Sequence, residues 1–207
     1  MTGPARRPRW PGADLPGRRL FVAVPLPDAA TAEVSGLVAS VRGDGVPGGG
    51  RDVRWVRLEG LHLTLRFLGP TLEDRVEAAA DAVRAAAAAS TPFDGSIGGA
   101  GAFPSANRPR ALWLGLRRGE ADLALLAGTV DDALRAAGFI FETKPFQAHL
   151  TLARSDGVRA GAATAARLVE AAADMDVPFR ADRIGLFESL TGSGPARYEP
   201  LVMAELV

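Results

Sequence analysis

The same four-residue string occurs twice in this chain, and each copy begins with a histidine. The first copy is His62-Leu63-Thr64-Leu65 and the second is His149-Leu150-Thr151-Leu152. The chain contains 2 histidines, so every histidine stands at the head of a copy. This coincidence predicts two matching pieces of structure that contribute to one site.

Each copy alternates polar and apolar residues, as a half-exposed β-strand does. Because successive side chains of a strand point to opposite faces, His62, Thr64 and Arg66 are predicted on one face. The leucines and Phe67 are predicted on the other face, and the second copy repeats the alternation. We expect the leucine faces to dock on helices, which leaves the two His/Thr faces to meet across a cleft.

The residues after each copy repeat as well: a helical pattern, then a Pro-Phe pair, then a Gly-x-Phe string. The Pro-Phe phenylalanines lie 31 and 30 residues after their histidines, and the Gly-x-Phe phenylalanines lie 41 and 38 residues after them. These phenylalanines are Phe93, Phe179, Phe103 and Phe187. The offsets predict an internal duplication. We expect an α+β fold of two interleaved lobes related by a local pseudo-twofold axis.

Propensity, helical spacing and Pro or Gly punctuation divide the rest of the chain into strands and helices. Extended segments are predicted at about residues 19–24, 53–56, 92–103, 111–116 and 198–206, and helices at about 28–42, 76–89, 120–137 and 160–173. Residues 1–18 are rich in Pro, Gly and Arg and predict a disordered tail, with an RNA-contacting arm as the alternative. The glycine-rich residues 43–50 predict a flexible connector, and residues 19–207 a single bilobal domain.

Composition excludes several kinds of site. Acidic and basic residues balance at 24 each, so any contact with nucleic acid must come from a local patch. The chain contains 0 cysteines, which excludes disulfides, zinc-thiolate sites and cysteine nucleophiles and fits a cytoplasmic location. The N-terminal residues do not have the pattern of a secretory signal, and no apolar run has the length of a membrane helix.

Two histidines that face one another suit a reaction that needs both an acid and a base near neutral pH. Thr64 and Thr151 can each donate a hydroxyl hydrogen bond to a non-bridging phosphate oxygen, and arginines can offset the phosphate charge. Phosphodiester cleavage fits these groups. A metal site is the alternative, but a catalytic zinc needs three protein ligands and neither copy contains Asp or Glu. We therefore expect no metal.

The paired His-x-Thr-x motifs resemble those of the two-histidine phosphoesterase superfamily. Within it, the chain is similar to the RNA 2′,3′-cyclic phosphodiesterases, also called LigT-like or 2′-5′ RNA ligase-like proteins. The resemblance covers about residues 19–206. Besides the motifs, it is carried by the strings at residues 19–25, 55–56, 67–69, 103–104, 153–154 and 186–189, and by Tyr198.

The resemblance implies two lobes, each a mostly antiparallel sheet with helices on its outer side, and sheets that face a central cleft. It also implies an enzyme that hydrolyses a 2′,3′-cyclic phosphate end to a 2′-phosphate without a metal or nucleotide cofactor. We expect the substrate to be such an RNA end or a cyclic nucleotide, and the protein to be a monomer. His62 would then donate a proton to the leaving 3′ oxygen and His149 would activate water. Thr64, Thr151 and Arg154 would hold the phosphate.

Three side chains keep two interpretations each. Arg154 breaks the strand parity, so we expect it just past the strand end, either reaching back to the phosphate or lying on the surface. Arg66 faces either the cleft or solvent. Phe103 either stacks on a base or packs in the core.

Three other functions stay open from the sequence. The same chemistry run in reverse, with a ribose hydroxyl in place of water, is a 2′-5′ RNA ligase. A phosphodiesterase that acts on another cyclic phosphate or on a 2′-5′ linkage is the second. The third is a non-catalytic module that binds RNA ends.

Overall fold

A computed structural model describes residues 16–42, 53–141, 145–155, 158–190 and 195–207. Most of the predicted tail, with its arginines, and the predicted connector at 43–50 lie outside the described residues. Pro16 and Gly17 are exposed, and the first strand begins at Arg18, one residue before the predicted domain boundary.

The described residues form nine strands, four α-helices and a short 3₁₀ helix at Leu58–Gly60. The strands are β1 (Arg18–Pro25), β2 (Val53–Trp55), β3 (His62–Thr71), β4 (Phe93–Phe103), β5 (Ala111–Arg118), β6 (Leu150–Ser155), β7 (Val177–Ala181), β8 (Arg183–Leu190) and β9 (Arg197–Glu205). The helices are α1 (Asp28–Arg42), α2 (Glu73–Ala88), α3 (Glu120–Ala136) and α4 (Val158–Ala171). Among these helices, none combines the length and hydropathy needed to span a membrane.

The strands form two antiparallel sheets, which confirms the predicted α+β class. The first sheet has the order β3-β1-β8-β9 and the second the order β2-β6-β5-β4-β7. Helices α2 and α3 pack on the first sheet, and helices α1 and α4 pack on the second. The leucines that follow the two histidines, Leu63 and Leu150, are both 0% exposed and anchor the motif strands in the core.

Each sheet takes strands from both halves of the chain. With β2, β7 and β9 left aside, the order β1-α1-β3-α2-β4 is repeated as β5-α3-β6-α4-β8. The last strand of each repeated unit lies in the other half's sheet, because β4 pairs with β5 and β8 pairs with β1. A pseudo-twofold axis therefore exchanges β1 with β5, β3 with β6 and β4 with β8.

The two motif strands carry the same irregularity at the same position. In β3, Thr64 pairs with Ala23 and Arg66 pairs with Val22, so the residue between them, Leu65, has no partner across the strand pair. The fourth residue of the second motif, in β6, is skipped in the same way. Such an extra residue is a β-bulge, and it moves the side chains that follow it to the opposite face, which in β3 holds as far as a second register shift at Leu68.

Candidate active site

The two histidines are held by the same backbone contact. The Nδ1–H of His62 donates to the Gly60 carbonyl at 2.6 Å, and the Nδ1–H of His149 donates to the Gln147 carbonyl at 2.8 Å. A carbonyl oxygen only accepts, so Nδ1 must carry the hydrogen in each ring. Nε2 is therefore the ring atom that is left to exchange a proton with a ligand.

The surroundings of the two rings differ. His62 lies among three aromatic rings: Phe21 at 4.7 Å between centroids, Tyr198 at 4.9 Å edge-on and Phe187 at 6.3 Å stacked. His149 contacts the ring of Phe103 edge-on at 5.2 Å. The first imidazole is thus enclosed by apolar surface, whereas the second is more open.

Burial lowers the pKa of His62, because a charged ring loses its hydration there. The hydrogen bond to Gly60 opposes this shift, and the charge of a protonated His149 lowers the pKa of His62 further. The strands that carry the two motifs, β3 and β6, also contact one another. The two motifs therefore lie close together in the fold.

The two threonines lie beside the histidines on the cleft face. Thr64 is in β3 and Thr151 is in β6, and both are half-buried. Within the described part of the chain, neither hydroxyl has a hydrogen-bond partner. Both hydroxyls are therefore able to bind a ligand oxygen.

The predicted position of Arg154 just past the strand end is wrong. Arg154 lies inside β6 and pairs with Ala111 of β5. The bulge at Leu152 returns its exposed side chain to the cleft face, where it interacts with Tyr198 of the first sheet. Burial raises the pKa of Tyr198 and the positive charge of Arg154 opposes that increase.

The prediction that Arg66 shares a face with His62 is also wrong. The bulge at Leu65 turns Arg66 towards α3, where its Nε–H donates to Asp131 at 2.5 Å and its Nη2 donates to the second carboxylate oxygen. Its guanidinium also lies over the ring of Phe141, 4.6 Å from the ring centroid. Arg66 therefore faces neither the cleft nor solvent, and it drops out of the candidate site.

Phe67 changes face in the opposite sense, because the sequence predicts it on the leucine side. It pairs with Phe21, lies 5.9 Å from that ring and is 58% exposed. Under the pseudo-twofold axis, Phe67 occupies the position of Arg154. The two walls of the cleft are therefore alike in backbone and different in chemistry.

Phe103 lies at the cleft, against His149 and 5.1 Å from the ring of Trp113. Gly101 makes this contact possible, since a Cβ at that position would overlap the Trp113 ring. The Trp113 indole Nε1–H is buried and has no hydrogen-bond partner among the described residues. Stacking of a base on Phe103 stays a prediction.

Sequence reasoning missed the aromatic enclosure of His62. Phe21 stands in the continuous apolar run Leu20–Val24, where alternation gives no sign of a cleft face. A signal existed for the other two rings. Phe187 belongs to the repeated Gly-x-Phe string, and Tyr198 is the single tyrosine of the chain.

Comparison with known proteins gives a consistent result. Residues 21–192 match the family described as the 2′-5′ RNA ligase superfamily. A protein of Archaeoglobus fulgidus named RNA 2′,3′-cyclic phosphodiesterase is 37% identical over 136 residues, which are 66% of this chain and 72% of that protein. A protein of Thermotoga maritima with the same name is 29% identical over 183 residues, which are 86% of this chain and 90% of that protein.

Two solved structures share the fold. E. coli LigT complexed with 3′-AMP superposes with a TM-score of 0.67 at 25% identity, and covers 91% of this chain and 98% of its own. The structure of TT0787 of Thermus thermophilus superposes with a TM-score of 0.68 at 26% identity, and covers 91% of this chain and 97% of its own.

Proposed function

The chain belongs to the 2′-5′ RNA ligase superfamily, and on that basis we propose that it hydrolyses RNA 2′,3′-cyclic phosphate ends to 2′-phosphates. The observation that carries the proposal is the matched pair of imidazoles, each with Nδ1–H bound to a carbonyl and Nε2 left for the ligand. The relatives named RNA 2′,3′-cyclic phosphodiesterase support the choice of substrate. Cyclic nucleotides belong to the same substrate class.

The reaction needs one base and one acid. The Nε2 of the neutral histidine takes a proton from water as the water oxygen bonds to phosphorus. The bond from phosphorus to O3′ breaks, and the Nε2–H of the protonated histidine gives its proton to O3′. The hydroxyls of Thr64 and Thr151 and the guanidinium of Arg154 hold the non-bridging oxygens, where negative charge accumulates.

The resemblance makes His62 the acid and His149 the base. The lowered pKa of His62 in the free protein favours its neutral form, which opposes the acid role. Binding of the phosphate anion beside the ring favours the protonated form, because opposite charges attract. The assignment therefore requires the substrate anion to raise the pKa of His62.

The test is hydrolysis of an oligonucleotide that ends in a 2′,3′-cyclic phosphate, in the presence of a chelator. We expect His62→Ala and His149→Ala each to lower kcat by a factor of about 10² to 10⁴, the usual contribution of a positioned acid or base. Thr129→Val on the exposed face of α3 is the control and should leave kcat unchanged. Product analysis must give the 2′-phosphate, and wild-type turnover in either histidine variant would refute the proposal.

The pH dependence of kcat/KM reports the two histidines of the free enzyme. Activity needs one neutral and one protonated ring, so we expect a bell-shaped profile between about pH 5 and 8. If His62 is the acid, its lowered pKa brings the alkaline fall in kcat/KM to lower pH. A flat profile in this range would contradict paired acid–base catalysis.

Ligation is the second candidate, favoured by the name of the matched family. A ribose hydroxyl that replaces water at the same phosphorus would form a 2′-5′ linkage. Supplying a hydroxyl-ended acceptor in the hydrolysis assay separates the two, because the ratio of ligated to hydrolysed product measures the competition. Other cyclic phosphates and 2′-5′-linked oligonucleotides, supplied as substrates in the same assay, test for a phosphodiesterase of different specificity. Tight binding of the RNA end without turnover would indicate an RNA-end-binding module. We further propose that the protein acts as a monomer in the cytoplasm, as the sequence predicts.

A further inference from the structure

A row of four side chains crosses the second sheet next to the histidine site. Arg54 of β2 pairs with Arg154 of β6, which pairs with Ala111 of β5, which pairs with Phe103 of β4. Residues directly opposite one another in antiparallel strands lie on the same face of the sheet. The four side chains therefore form one lateral row.

This row lies on the cleft face of the second sheet. Phe103, at one end, contacts His149 edge-on at 5.2 Å. The neighbours of Arg54 in β2, Val53 and Trp55, point the other way and pack in or against the hydrophobic core. Arg54, at the other end, thus faces the cleft from an edge strand, and its side chain is exposed.

Two arginines stand opposite one another at the outer end of the row, on the same face of the sheet. Neighbouring strands lie about 4.8 Å apart, so Arg54 is one strand further from the histidines than Arg154. Arginine also has the planar fork that suits phosphate.

Building on the proposed function, we propose that Arg54 binds a second phosphate of the substrate: the phosphodiester that joins the terminal nucleotide to its neighbour. Arg154 contacts the cyclic phosphate held by the histidines and threonines. Arg54, one strand further out, is placed for the next charge along the RNA backbone. Within the proposed substrate class, the end of an RNA chain is therefore preferred over a free cyclic mononucleotide.

The test compares three substrates that end in the same 2′,3′-cyclic phosphate. The first is a dinucleotide with a natural phosphodiester linkage, the second is the same dinucleotide with an uncharged methylphosphonate linkage, and the third is the cyclic mononucleotide. We expect the wild-type protein to favour the charged over the uncharged dinucleotide by about tenfold in kcat/KM, in line with one charge-assisted contact. Arg54→Ala should bring this ratio to about one.

Two further variants sharpen the comparison. Arg54→Lys retains the charge but loses the fork, so we expect it to keep part of the preference. Arg180→Ala removes an exposed arginine from β7, the other edge strand of the same sheet, and should keep the full preference. The slope of log kcat/KM against log salt for the charged dinucleotide should fall by about 0.7 in Arg54→Ala, as expected for one single-strand phosphate contact.

Two results would overturn the inference: a wild-type protein that does not distinguish the two dinucleotides, or an unchanged ratio between them in Arg54→Ala. Failure of the proposed function has a different signature, since the wild-type protein would then hydrolyse none of the three substrates. In that case, binding of fluorescent dinucleotides that end in a 2′-phosphate, with charged and uncharged linkages, still tests Arg54. Equal affinities of the wild-type protein for both would reject the second phosphate site.

Discussion

His62 and His149 share one hydrogen-bond pattern but not one environment. The ring of Tyr198 contacts His62 and also packs against Gly60, the residue that accepts the His62 hydrogen bond. A single aromatic side chain therefore covers the imidazole and supports the turn that orients it. Burial lowers the pKa of His62, and the ring of Tyr198 is part of what buries it.

Replacement of Tyr198 tests the origin of the lowered pKa. Tyr198→Leu opens the site to water, so we expect the pKa of His62 to rise towards the ordinary value of about 6.5. Tyr198→Phe keeps the ring and should leave the pKa of His62 in place. Titration of the imidazole resonances by NMR measures both, with His62→Gln used to assign the signal. An unchanged pKa in Tyr198→Leu would mean that other groups cause the shift.

The sequence predicts the histidines and threonines correctly as a group because each comes before its bulge. Up to that point, simple alternation holds and the polar side chains share a face. Arg66 and Arg154 come after the bulges and are assigned to the wrong place. Leu65 and Leu152 resemble any inward-facing leucine, and the extra residue becomes visible only in the pairing with the neighbouring strand.

At the scale of elements, the repeated bulge turns the next residue of each motif strand towards the helices and the residue after it towards the cleft. In β6 it brings Arg154 to the cleft, and in β3 it sends Arg66 towards α3. There the carboxylate of Asp131, which is 8% exposed, forms ion pairs with Arg66 and with the more distant Arg135. This ion pair ties the first motif strand to the helix that packs on it.

The cost of breaking this pair can be measured. Asp131→Ala leaves the guanidinium of Arg66 largely buried without its carboxylate, so we expect a loss of about 3–5 kcal/mol of unfolding free energy. The double change Arg66→Met with Asp131→Leu replaces the pair by apolar groups and should cost far less. Urea unfolding of the three proteins gives both values. Equal losses in the single and double variants would show that the buried charge is not the cause.

At the scale of the whole molecule, the sequence predicts two related lobes because hydrophobic periodicity and the Gly-x-Phe strings repeat. It does not reveal that β4 and β8 are exchanged. A strand that pairs within its own half and one that crosses to the other half have the same alternation of residues. Pairing partners depend on contacts between residues far apart in the chain, which local patterns do not record.

The exchanged strands have a consequence for how the protein can be divided. A chain cut in the exposed loop after Asn107 gives two fragments, each with one motif, yet each lacks a central strand of its own sheet. We expect neither fragment to unfold cooperatively alone, and an equimolar mixture to recover folded circular dichroism and cyclic-phosphate hydrolysis. Cooperative unfolding of a lone fragment would contradict this.

Reassembly of this kind would show that the intact protein is equivalent to a dimer of two half-chains joined by a covalent link. The first half contributes β2 and β4 to the second sheet, and the second half contributes β8 and β9 to the first sheet, as in a domain-swapped pair. The second motif cannot leave its sheet without unpairing β2 of the other half, and the sheet that holds the first motif is completed by β8 and β9 of the other half. The spacing of the two histidines is therefore maintained by global rather than local stability.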